Sequence, residues 1–327
     1  VMDQFINVCS AAVGRGVRVF VLFDAYGATG FSRTDRRRFG QAGVQMYFYN
    51  PLRLPQLWRF LRRDHRKILV VDHDVAFVGG VGLTDDFDPV VRGSVAWRET
   101  VVECRGPVVH DWWRAFADNL AQVRDQPVDV PSNEVVSRGH QRGRVALSAA
   151  HGRTEVRRAA VNRIRGAVQC VWLATAYFVP SWKIRRALRR ASRRGIDVRI
   201  LLPGPYVDHP AIRHAGRRYY GRLLRSGVRI FEYQPRFFHA KTLICDDWVS
   251  IGSANVDRWN LRWNLEANQE IEDAGFAADV VEQFARDLSC STEMTHMRWH
   301  RRGVIAKSLE RFWGTIDRLI DRWLRRS

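Results

Sequence analysis

The chain repeats itself, and any fold for it has to use the same unit twice. In the first half, Met2 to Val13 reads as a helix, Gly14-Arg15-Gly16 as its stop, and Val17 to Phe23 as an apolar strand. Trp182 to Arg194, Gly195 and Ile196 to Leu202 read the same way, at an offset of 179 residues that carries Gly16 onto Gly195. The parallel continues from Ala42-Gly43-Val44 to Pro51 and from Ser226-Gly227-Val228 to Pro235. Helices alternate with short β-rich runs. Each half is therefore expected to be an α/β layer with a mixed central sheet flanked by helices, and the two halves to pack face to face as a pseudo-symmetric pair.

The second half has an opening that the first half does not. Ahead of its matching helix it carries a strand at Arg144 to Ser148, a helix from about Thr154 to Arg165 and a buried strand at Val168 to Thr175. The first half starts at the position equivalent to Pro180. We expect it to be incomplete at its N-terminus, lacking that strand, helix and strand, in a chain that begins within a longer protein. The expected domains are 1–124, a linker at 125–143 rich in Pro, Gly, Ser and charge, 144–290, and a basic amphipathic C-terminal helix at 291–327. In that helix Ile305, Leu309, Phe312, Trp313, Ile316, Leu319, Ile320 and Trp323 share one face, with Lys307, Arg311, Arg318, Arg322, Arg325 and Arg326 elsewhere. It either docks on the domain or lies in an anionic membrane surface.

Composition narrows the partners. The 53 Lys and Arg against 34 Asp and Glu leave a formal charge of +19, which favours nucleic acid or acidic lipid headgroups without choosing between them. Five scattered cysteines, with no C-x-x-C spacing, read as reduced residues and not as a disulfide framework or a zinc site. No apolar run reaches the roughly 18 residues that span a bilayer. Val1 to Gly16 reads as an ordinary helix and not a signal peptide.

Two motifs carry the chemistry. His65-Arg66-Lys67, with Asp72 and then Gly79-Gly80-Val81-Gly82, is matched by His239-Ala240-Lys241, with Asp246 and then Gly252-Ser253-Ala254-Asn255. On a strand, residues i and i+2 face the same way, so each His projects with its Lys. Cleaving a phosphodiester takes a nucleophile, an acid for the leaving oxygen and positive charge for the non-bridging oxygens. Two imidazoles and two ammonium groups supply all three with neither a metal nor a cofactor. Gly80, Ser253 and Asn255 are candidate contacts to the phosphate. His209, His214, Tyr177 and Phe178 are weaker candidates for its surroundings, and the arginine-rich helix at Lys183 to Arg194 reads as a solvated face.

These paired motifs resemble those of the phospholipase D superfamily. Trp97-Arg98-Glu99-Thr100, Arg105-Gly106-Pro107 and the run from Asp257 to Asn268 are similar to segments of its bacterial cardiolipin synthase type. The resemblance implies two phospholipase D-like α/β halves and one shared site. In it Glu99 would hydrogen-bond His239, Glu266 would hydrogen-bond His65, and Asp72 and Asp246 would brace the motif strands. It makes His65 the nucleophile and His239 the acid and base, through a phosphohistidine. The implied reaction is phosphatidyl transfer between anionic phospholipids, by an enzyme peripheral to the cytoplasmic face of the bacterial inner membrane. Phospholipase D hydrolysis is the alternative, and a nuclease acting on nucleic acid the more distant one.

Overall fold

The computed structural model describes residues 1–51, 62–124, 137–149, 154–258 and 260–326, with side chains as far as residue 320. The first half runs α1 (Met2–Gly14), β1 (Phe20–Asp24), α2 (Arg33–Gln41), β2 (Gln45–Tyr49), β3 (Lys67–Val71), β4 (Val75–Gly79), α3 (Pro89–Arg92), β5 (Val101–Arg105) and α4 (Val108–Arg124). The second begins with β6 (Arg142–Ser148), α5 (Glu155–Gly166), β7 (Cys170–Ala174), α6 (Trp182–Arg193), β8 (Asp197–Pro203), α7 (Pro210–Arg217), α8 (Tyr220–Leu224) and β9 (Arg229–Tyr233). It continues with β10 (Thr242–Cys245), β11 (Trp248–Gly252), α9 (Asn260–Trp263), β12 (Glu266–Glu272), α10 (Ala274–Ser289), β13 (Ser291–Glu293), α11 (His296–Arg301) and α12 (Val304–Arg326).

The second half is built on one mixed sheet in the order β13-β9-β8-β7-β10-β11-β12-β6. Its strands β7 and β10 are apolar on both faces, because both are covered, whereas β12 buries Glu266, Asn268, Gln269 and Glu270. In β7, Val171 and Leu173 enter the core formed with α5, α6 and α8. Trp172 and Ala174 enter a second core, shared with Ala76, Val78, Val102, Cys104 and Trp112 of the first half. Strand alternation thus gives each face of β7 its own partner. The far face of this sheet is the floor on which β4, β5 and α4 rest, and there Trp112 Nε1 donates to Gln269 Oε1 at 2.7 Å.

The repeat is visible in connectivity. β1 and β2 are parallel, as are β8 and β9, while β3-β4-β5 and β10-β11-β12 are both antiparallel meanders. In the second half β7 joins the two parts, pairing parallel with β8 and antiparallel with β10. Among the described residues of the first half the two parts remain separate sheets.

The C-terminal segment differs from expectation. It is not one helix, since β13 extends the sheet by pairing with β9, and α11 precedes α12. Most of the expected linker, 125–136, lies outside the described residues, and Arg142 and Gly143 belong to β6. α12 docks, but not through its apolar stripe. Buried Glu310 meets Arg217 at 3.1 Å and Arg302 at 2.9 Å, and buried Asp317 meets Arg218 at 3.2 Å and Arg258 at 2.7 Å. Ile305 (78% exposed), Phe312 (56%) and Leu319 (57%) face outward. The four guanidinium partners explain the reversal, because paired carboxylates can be buried where unpaired ones cannot.

The two motif hairpins also differ. Both put an aspartate in the left-handed region at the turn, Asp72 at φ 51° and Asp246 at φ 54°. Asp246 accepts the backbone N–H groups of Val168, Gln169 and Cys170 at 2.9 Å each, so it braces the entry to β7. Asp72 is exposed, and among the described residues its side chain makes no hydrogen bond. The bracing expected of it is not there. Asp246→Ala should therefore cost on the order of 2 kcal/mol, for three charge-assisted bonds at a partly exposed site. Denaturant titration should show its midpoint lowered and that of Asp72→Ala close to the parent.

Candidate active site

The site begins with backbone pairing between the halves. Just ahead of β3, Asp64 forms a parallel bridge with Leu265, and ahead of β10 Phe238 forms one with Arg98. Leu265 N donates to Arg63 O at 2.8 Å and His65 N to Leu265 O at 3.0 Å. In the other bridge Arg98 N donates to Phe237 O at 2.9 Å and His239 N to Arg98 O at 2.7 Å. In both, the residue before a histidine pairs with the residue before a glutamate of the opposite half. The side chains that follow are brought together.

His239 Nδ1 lies 2.5 Å from Glu99 Oε2, and His65 Nδ1 lies 3.0 Å from Glu266 Oε1 and 3.1 Å from its Oε2. With Nδ1 occupied by a carboxylate, each imidazole presents Nε2 to the site. Lys241 Nζ donates to Glu99 Oε2 at 3.1 Å and lies 2.7 Å from His239 Nδ1, and it also reaches the His239 carbonyl. Lys67 Nζ donates to the His65 carbonyl at 2.6 Å. Both glutamates are buried.

Burial and charge make the two histidines unequal. The His239 side chain is almost fully enclosed, whereas that of His65 is 27% exposed. Burial, with the Lys241 ammonium beside it, pushes the His239 imidazolium down to about 3 against the opposing pull of Glu99. Burial would raise the Glu99 carboxyl, but Lys241 and His239 hold it below the usual range. Lys67 is pushed down to about 8 by burial and by Lys241, with Glu266 acting the other way. Burial lowers Lys241 as well.

The candidate phosphate contacts divide. Asn255 is fully buried, with Oδ1 accepting from Thr175 Oγ1 and Tyr177 N at 3.2 Å each. Its Nδ2 has no hydrogen-bond partner among the described residues, and Asn255 and Lys241 line the same small cavity. The Ser253 hydroxyl instead donates to Glu266 Oε2 at 2.5 Å. Gly80, its counterpart, faces Glu99, since a Cβ there would come within 2.1 Å of Glu99 Oε2. Asp72 and Asp246 sit at the far ends of the motif strands, outside the cluster.

Of the aromatic enclosure of His239, sequence reasoning had Tyr177 as a weaker candidate and Trp97 only within a family-like segment, and it missed Phe87 and Phe237. The rings of Trp97, Phe87 and Phe237 lie 5.2, 5.4 and 5.6 Å from the imidazole, and that of Tyr177 lies 6.5 Å away. Trp97 stands two residues before Glu99, which was its one signal. Tyr177 also donates to Asp208, beside exposed His209, whereas His214 is partly buried in α7. Asn268 was missed too: its Oδ1 accepts Ala254 N at 3.2 Å and fixes the turn between Ser253 and Asn255.

Residues 160–288 match the family model described as "Cardiolipin synthase, PLD-like domain". The chain is 31% identical over 312 residues to cardiolipin synthase 2 of Bacillus anthracis, covering 93% of this chain and 60% of that protein. It is 34% identical over 284 residues to cardiolipin synthase A of Pseudomonas aeruginosa, covering 86% and 58% respectively. It thus spans about 60% of the length of these curated relatives. Among solved structures, phosphatidylserine synthase of Haemophilus influenzae superimposes with a TM-score of 0.68 at 14% identity, over 98% of this chain and 85% of that one, a likeness of fold.

The contact at Gly80 gives a sharp test of this geometry. Gly80→Ser would copy the second motif into the first, yet its Cβ requires Glu99 to leave His239. Phosphodiester cleavage should fall about 10- to 100-fold, the usual effect of losing a group that orients a functional histidine. The thermal midpoint should fall as well, because displacing Glu99 breaks a buried pair with Lys241, and circular dichroism at the assay temperature should show the variant still folded.

Proposed function

We propose that this chain is a member of the phospholipase D superfamily, on its likeness to the cardiolipin synthase PLD-like domain and to cardiolipin synthases, and that it transfers a phosphatidyl group from one anionic phospholipid to the hydroxyl of another. The observation that carries the reading is the crossed pairing of each histidine with a buried glutamate of the opposite half, around two lysines. In the first step His65 Nε2 attacks phosphorus. A P–N bond forms, the P–O bond to the departing alcohol breaks, and His239 Nε2 gives that oxygen its proton. In the second step His239 takes the proton of the incoming hydroxyl, whose oxygen attacks phosphorus as the P–N bond breaks. With phosphatidylglycerol as donor and acceptor, the products are cardiolipin and glycerol.

The remaining residues have supporting parts. Lys67, Lys241 and the Asn255 amide oppose the charge on the non-bridging oxygens. Glu99 and Glu266 hold the imidazoles in the Nδ1–H tautomer, and Ser253 holds Glu266. Because burial and Lys241 keep the His239 imidazolium at about 3, it takes up a proton from solvent only once substrate is bound. A phosphodiester anion beside Lys241 is the charge that raises it. No helix among the described residues is long and apolar enough to cross a membrane. Its net charge of +19 suits an anionic bilayer surface, and on that ground we place its work at the cytoplasmic face of a bacterial inner membrane.

Phosphatidylglycerol vesicles incubated with the protein in chelator should yield cardiolipin. Phosphatidic acid alone would make the enzyme a hydrolase, and cleavage of DNA without lipid turnover would end the lipid reading. With a p-nitrophenyl phosphodiester, whose leaving group needs no acid, His239→Asn should still form a phosphohistidine and His65→Asn should not; the reverse would exchange their roles.

The pH profile follows from Lys67. Its ammonium is present below about pH 8 and lost above it, so kcat/KM should fall as pH rises through that value. Lys67→Arg should remove this limb. If the limb stays, another group is responsible for it.

A further inference from the structure

Away from the histidines, a cleft of about 1240 Å³ opens between α6, α8, α9, α11 and α12. None of the six His, Lys and Glu side chains of the candidate active site lines it. Among the described residues nine arginines and one lysine do, against a single carboxylate, Glu310. That carboxylate is already held by Arg217 and Arg302, and Asp317 holds Arg218 and Arg258. Arg185 and Arg222 form no ion pair among the described residues, and Arg185 Nε is buried without a hydrogen-bond partner. The guanidinium of Arg185 lies over the Tyr219 ring, 4.3 Å from its centroid, with Arg218, Arg222 and Arg258 close enough to repel it. The N-terminus of α6, capped by Ser181 and without an acid in its first turn, opens on the same space. Gathering so many cations at one place is unfavourable unless an anion joins them.

The surroundings say what kind of anion. α12 lines the cleft with Lys307, Arg311 and Arg318, while Ile305, Leu309, Phe312, Leu319 and Ile320 of the same helix are exposed on another flank. Trp182, at the cleft mouth, is 59% exposed. Exposed apolar and aromatic side chains beside arginines match the interfacial layer of an anionic bilayer, in which apolar groups enter the acyl boundary and cations meet phosphates.

We propose that this cleft is a second phosphate-binding site, separate from the histidine site, that seats the headgroup of an anionic phospholipid while the exposed stripe of α12 lies in the membrane surface. Arg185 and Arg222 are its principal contacts. The site holds the enzyme on anionic membrane and takes no part in bond cleavage.

The test uses the full chain carrying His65→Asn, so that bound lipid is not turned over. Co-sedimentation with phosphatidylcholine vesicles containing phosphatidylglycerol should weaken about tenfold or more on Arg185→Gln/Arg222→Gln, as on Phe312→Glu. Binding to pure phosphatidylcholine should be weak and unaffected by the arginine changes. In the His65 parent the arginine changes should leave turnover of a soluble p-nitrophenyl phosphodiester unchanged, even if the assignment of the lipid reaction fails. Arg185→Lys/Arg222→Lys, retaining charge, should bind more tightly than the glutamine pair and controls for folding. Unchanged vesicle binding by the glutamine pair would overturn the proposal. So would stabilisation by inorganic phosphate that the pair abolishes without loss of vesicle binding, which would make this a site for free phosphate. Loss of soluble turnover would place the cleft in the catalytic site instead.

Discussion

Two short parallel bridges hold the functional parts of this molecule in place. Asp64 with Leu265 and Phe238 with Arg98 are single pairings outside the regular strands, yet each delivers an imidazole and a carboxylate from opposite halves to the same point. Backbone pairing suits the task because it places the chain to within a fraction of an ångström without using a side chain that the site needs. The pairs have support behind them. Asp64 holds Arg66 and Asn119, and Arg98 holds Asp287 through two bonds at 2.8 and 3.0 Å. Neither half could position its own histidine alone.

Burial then turns similar motifs into different environments. His239 is enclosed by three rings and pressed against Lys241, whereas His65 retains a path to solvent. Gly80 and Ser253 express the same asymmetry at a single position. On one side a missing Cβ admits Glu99, and on the other a hydroxyl bonds Glu266. Glu99, with an ammonium hydrogen-bonded to it, needs room, while Glu266, whose neighbouring ammonium makes no hydrogen bond to it, gains from a neutral donor. The glycine at position 80 is an accommodation to Lys241 reaching Glu99.

How much of this was legible depended on the range of the interaction that fixes each residue. The repeat and the succession of helices and strands follow from local periodicity, and β7 to β9 lie close to where the pattern puts them, whereas His65, His239 and Lys241 stand just ahead of β3 and β10 and not within them. The pairing of Glu99 with His239 and Glu266 with His65 came only from family resemblance, since nothing in the spacing says which glutamate crosses the chain. The enclosure by Phe87, Trp97 and Phe237 depends on three segments meeting, so no single segment shows it. Asp72 was misread because its equivalence to Asp246 is one of backbone shape. Both occupy a left-handed turn, but only Asp246 has the N–H groups of Val168, Gln169 and Cys170 within reach.

α12 makes the same point about amphipathicity. A helical wheel identifies an apolar stripe and leaves open whether protein or lipid covers it. Here the opposite side is used for docking, because Glu310 and Asp317, seven residues apart, recur after two turns and meet Arg217 at the end of α7, Arg218 just after it, Arg302 just after α11 and Arg258 ahead of α9. Once those pairs form, rotating the helix to bury Phe312 would strand two carboxylates and at least four guanidinium groups, a cost that one apolar stripe does not offset. The ion pairs therefore decide the rotation of the helix. The outward apolar stripe, and the arginine-lined wall next to the cleft, are consequences of that choice.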